Sequence, residues 1–90
     1  MNNAKRARLK TVKLRLGLLQ KDLESVKDEV ETEYDDEQSI YDNFPENLQS
    51  SERYEICENA CSNLQDAIDS LNEATEQIES AISSLEDAAE

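Results

Sequence analysis

Leu64, Leu71, Ile78 and Leu85 return every seventh residue, and Ala60, Ala67, Ala74, Ala81 and Ala88 keep the same interval four places ahead of them. With the large residues at heptad position a and the alanines at d, a third row of Cys61, Ile68, Thr75, Ile82 and Ala89 falls at e and widens the apolar stripe. This pattern predicts one long helix over about residues 51–88 that needs a partner to cover it. In the first half, Leu9, Val12, Leu16, Leu19, Leu23, Val26 and Val30 step alternately by three and four, a heptad seam without a miss. They predict a helix over about 3–41, capped by Asn2 or Asn3. Continued in the same register, the seam turns polar at Glu33 and Glu37 before Ile40 and Phe44, with Tyr34 and Tyr41 beside it as covers.

Punctuation is confined to residues 41–53, YDNFPENLQSSER. Phe44 precedes the one proline and is pushed out of helical geometry, and Asp42, Asn43 and Asn47 favour turns, so the chain reverses over about 42–50. Phe44 and Leu48 are expected to plug that end, and Ser50 or Ser51 to cap the second helix, with Glu52 and Glu55 suiting the positive end of its dipole.

The expected fold is therefore all-α, an antiparallel two-helix hairpin of coiled-coil type forming one domain over 1–90. Folding it at residues 46–48 pairs residues whose numbers sum to about 94. Leu16 then meets Ile78, Leu23 meets Leu71, Val30 meets Leu64, and Leu19 and Val26 fall beside Ala74 and Ala67, branched side chains nesting over alanines. Two stripes make a thin core, about 3 to 5 kcal/mol at best. Leu14 and Leu18 point away from this seam, and with Ile68 and Ile82 of the e row they form the expected partner surface. A homodimer closing a four-helix bundle is the simplest completion. Gly17, mid-helix and off the seam, is expected to be exposed and to cost about 1 kcal/mol against alanine.

Charge sharpens the orientation. The first 21 residues are +7 and the remaining 69 are −20, which together give the net −13. An antiparallel hairpin sets Lys5 to Arg15 alongside Glu73, Glu76, Glu79, Glu86 and Asp87; a parallel pair would lose that attraction. One glycine, one proline and 34% charged residues suit helices with a narrow seam better than a sheet-built core. No apolar run reaches the roughly 18 to 20 residues of a membrane span, and Lys13 and Arg15 interrupt anything resembling a signal-peptide core. A cytoplasmic protein without membrane contact is expected.

Candidate chemistry is sparse. Without histidine, a phosphate-binding glycine loop or a nucleophile beside a base, no enzyme and no cofactor is expected. Cys57 and Cys61, four apart on one helix, are too far separated for a disulfide and read as reduced, small, buried hydrophobes. Only a dimer could assemble four thiolates around a metal. The basic stretch 4–15 lacks aromatics and lies beside acids, so nucleic acid is not an expected ligand. The acidic rows b, c and f keep the rod soluble, or imitate the phosphate backbone and block a nucleic-acid-binding enzyme.

The run IYDNFPENLQSSERYE, followed by heptads rich in Leu, Asp and Ala and preceded by the basic opening MNNAKRARLK, resembles small acidic proteins of phages, prophages and mobile elements of Gram-positive bacteria. Their pattern is close to AYDNLPESLQ, then SERGE, then a long acidic helix; Tyr54 stands here where that pattern has glycine. The resemblance covers most of the chain. It implies an accessory protein that binds a host or defence protein, and it assigns no site residues.

Overall fold

The computed structural model describes all 90 residues, Met1–Glu90. Helix α1 spans Asn3–Asp42, a single 3-10 turn occupies Glu46–Leu48, and helix α2 spans Glu52–Ala88. Each helix starts where a side chain can satisfy an orphan amide. The Asn2 Oδ1 accepts from the Lys5 N–H at 2.8 Å, and the Ser51 Oγ accepts from the Tyr54 N–H at 3.3 Å. The Ser51 hydroxyl also donates to the Leu48 carbonyl at 2.6 Å, tying the 3-10 turn to the helix it precedes. The chain leaves α1 at Asn43, whose amide bonds back to the Ser39 carbonyl at 3.2 Å, and Pro45 then forbids a continuous helix.

The two helices lie antiparallel in a rod of 69 × 15 × 14 Å. The register is the expected one. Glu37 and Cys57, whose numbers sum to 94, touch at 3.7 Å, while Tyr41 with Tyr54 and Arg6 with Ala89, summing to 95, touch at 2.9 and 2.8 Å. Leu9, Leu16, Leu23 and Val30 of α1 therefore stand level with Leu85, Ile78, Leu71 and Leu64 of α2, and all eight are half-buried.

What differs is the second row of the seam. On both helices the row that turns inward beside a is e, not d. Along α2 the buried or half-buried positions are Cys61, Ile68, Thr75, Ile82 and Ala89; along α1 they are Lys13, Gln20, Lys27, Tyr34 and Tyr41. The d row is left nearer the rim: Val12, Leu19 and Val26 are 38, 53 and 44% exposed, and Ala67, Ala81 and Ala88 are exposed, while Ala60 and Ala74 are half-buried. Leu19 and Val26 stand level with Ala74 and Ala67, as expected, but are left about half exposed there instead of being covered. The reason is volume. Ile68 and Ile82 bury more apolar area than the alanines beside them, so α2 turns its e row inward. α1 answers with long stems: Lys13 and Lys27 fall opposite Ile82 and Ile68 and extend their ammonium groups to Glu86 at 3.7 Å and Asn72 at 3.1 Å.

The core is thin. Three residues of 90 are buried, Cys57, Cys61 and Ile68. The accessible surface is 6666 Å², about a quarter more than a compact monomer of 10.2 kDa exposes.

Candidate interaction surface

Three places on the rod carry side chains that the hairpin itself does not use up. The first is the back of α1. Leu14 and Leu18, an i, i+4 pair on the face opposite α2, are 66 and 63% exposed, and the Gly17 backbone between them leaves a shallow dent. A Cβ at Gly17 would meet nothing within 4 Å, so no other backbone approaches it. The other two residues expected on this surface lie elsewhere: Ile68 is 6% exposed in the seam, and Ile82 is half-buried in the same row. They hold the hairpin together and are not available to a partner on its outside.

The second place is the d face. At 100° per residue, e lies about 40° to one side of a and d about 60° to the other. Because the helices run in opposite directions, the two e rows fall on one side of the rod and the two d rows on the other. The contacts fix which is which: the e-row residues Lys13, Gln20 and Lys27 reach the b-row residues Glu86, Glu79 and Asn72 at 3.7, 3.0 and 3.1 Å. The opposite side presents Val12, Leu19 and Val26 next to the alanine row. A groove of about 400 Å³ between Val26, Val30, Glu33 and Leu64 marks where the d row fails to close over the seam.

The third place is the turn end, where Tyr41 and Tyr54 stack at 4.8 Å and share a hydroxyl hydrogen bond of 2.9 Å, and Phe44 meets Tyr54 edge-on at 5.3 Å. Phe44 plugs this end; Leu48 stays exposed on the 3-10 turn. The hydrogen bond to Tyr54, followed by burial, pushes the Tyr41 phenol up to about 12. Behind this stack, Cys57 and Cys61 are free thiols; burial first, and the nearby Glu37 charge after it, raise both above their ordinary value. A raised thiol is a poor nucleophile, because the thiolate is the reactive form. No three His, Cys, Asp or Glu side chains converge as a metal site requires.

The expected facing of basic and acidic blocks is realised in register but hardly in contact. Lys13 with Glu86 is the one ion pair within 4 Å, and Arg6 bonds the backbone oxygens of Ala89 and Glu90 instead of a side-chain carboxylate. Acids of α2 sit on rows b, c and f, turned outward, so the opposed charges act at a distance.

No protein-family model, curated protein or solved structure matches this chain. No helix is long and apolar enough to cross a membrane.

Proposed function

We propose that this chain is a noncatalytic protein–protein interaction module, a helical hairpin that docks on another protein through apolar rows its own fold leaves uncovered. The observation that carries the reading is the outward pair Leu14 and Leu18, 66 and 63% exposed on the back of α1 around an open glycine. Scattered exposed leucines are ordinary; a spaced pair flanking a dent on a helix with Lys13, Lys21 and Glu24 at its rim has the form of a helix-docking face. The resemblance of residues 40–55 to accessory proteins of phages and mobile elements supports a host or defence protein as the partner. The test is affinity capture with the full chain in parallel with Leu14→Glu and Leu18→Glu. A specific partner lost on both variants supports the reading; the same proteins captured by all three chains overturns it.

The acidic rows favour a second reading, a nucleic-acid mimic that occupies the groove of a DNA-binding enzyme. Every acid of α2 lies on rows b, c or f, forming a continuous negative face. This reading requires binding to a basic protein that falls steeply with salt and is displaced by duplex DNA. Binding indifferent to salt removes it.

A further inference from the structure

The d face is symmetric about Leu19, and the geometry points to a second copy of this chain as its occupant, stacked antiparallel about a twofold axis through the Leu19 and Ala74 layer. This rests on the interaction-module reading and names the first partner. Over residues 5–33 of α1 the d row reads Lys5, Val12, Leu19, Val26, Glu33, with the exposed Ile40 beyond the matched stretch. Laid antiparallel on itself about Leu19, it sets Leu19 on Leu19, Val12 on Val26 of the second copy, and Lys5 on its Glu33. The flanking g row reads Arg8, Arg15, Asp22, Glu29, and the same operation sets Arg15 beside Asp22 and Arg8 beside Glu29. Each opposite-charge pair occurs twice by symmetry.

These charges have no use within one hairpin. Arg15 has Thr11, Val12, Leu18 and Leu19 three and four residues away, and Asp22 has Leu18, Leu19, Ser25 and Val26. Arg8 neighbours Lys5, and Glu29 neighbours Glu33, each a like charge. None of them takes part in the hairpin's ion pair. Their attraction is satisfied only across the twofold.

Helix α2 meets the same axis on its own terms. Its d row, Ala60 to Ala88, is centred on Ala74, and 19 and 74 sum to 93, close to the 94 and 95 of the seam, so both centres lie at nearly one height. Its g row is Ile56, Asn63, Ser70, Gln77 and Ser84. In a chain with 22 acids, the d and g rows of α2 from Ile56 to Ala88 hold no charge. Two strongly acidic helices can then approach alanine to alanine with their carboxylates turned away. Residues 5 to 33 span about 42 Å at 1.5 Å per residue. Across the rod's 15 Å width this gives a face of about 600 Å² on each copy, near the lower bound of a standard specific interface. The result is a four-helix bundle whose turn ends point in opposite directions.

Sedimentation equilibrium on the full chain, with circular dichroism as the check on folding, tests this. Wild type is expected to dimerise. Arg15→Glu and Asp22→Arg each replace two attractions by two repulsions and weaken the dimer about tenfold, and the double variant, which restores opposite charges, recovers it to within about threefold. Leu19→Asp, on the axis, is expected to give monomer with its helix content kept. A monomeric wild type, a dimer unmoved by the single reversals, or a double variant that fails to recover overturns the proposal. A monomeric wild type whose partner capture is still lost on Leu14→Glu overturns this face alone and leaves the wider reading intact.

Discussion

Single residues on this rod divide sharply by row. Ile68, buried between the helices, is expected to cost about 2 to 4 kcal/mol on replacement by alanine, whereas Leu14→Ala on the open back of α1 should stay within about 0.5 kcal/mol, both read from urea unfolding. Gly17 has helical backbone and open space where a Cβ would go, so Gly17→Ala should raise stability by about 1 kcal/mol, and a lower melting temperature would contradict that. The raised phenol of Tyr41 and thiol of Cys57 work in one direction. A group that holds its proton more tightly when folded stabilises the fold fully below its unfolded value and loses that contribution as pH climbs through the folded one. Melting temperature should therefore fall as pH rises above about 9, where unfolded thiols ionise, towards the folded phenol near 12, and Tyr41→Phe should flatten the upper part of the decline.

At the scale of the elements, the joint between the helices depends on one small side chain. Ser51 caps α2 and holds the 3-10 turn at once, so Ser51→Ala is expected to cost about 1 kcal/mol or slightly more and to fray the first turn of α2, visible as faster amide exchange at Tyr54. Helix extents, the reversal at Phe44 and Pro45, and a register near 94 were legible in the sequence, because heptad spacing and proline act locally; each cap was narrowed to two neighbours, of which Asn2 and Ser51 make the bond. Which two of the three apolar rows form the seam was not. Rows a, d and e of α2 are all apolar, and periodicity alone cannot rank them; only side-chain volume does, favouring Ile68 and Ile82 over alanine. One available signal was the companion row. Lys13, Gln20 and Lys27 at e of α1 look like surface, yet they supply long stems for a seam that is apolar on one side only. Leu48 was misplaced for a similar reason: the 3-10 turn rotates it outward, and no pattern of three residues reports that rotation.

For the whole molecule, three buried residues make so thin a core that any partner bound to the folded hairpin would add directly to its stability. If the d face carries a second copy, the melting temperature should rise with protein concentration, by several degrees between about 10 and 500 μM, whereas a self-sufficient hairpin would melt at one temperature throughout. The outward leucines were legible in the sequence as unused apolar positions. The d face was not, because it exists only once a and e are known to be the seam. Its proposed symmetry is written in charges 7, 21 and 28 residues apart, which the spacing of a single helix face does not pair.

All three tyrosines, at 34, 41 and 54, lie in the part of the rod nearest the turn, two of them stacked against each other, and the chain has no tryptophan. Ultraviolet emission and near-ultraviolet dichroism of this protein will therefore report the clasp at that end and nothing else. Loosening of Arg6 from Ala89 and Glu90 at the far end would be silent to the phenols. An unfolding curve followed through the phenols should lag one followed through backbone ellipticity wherever the open ends give way first.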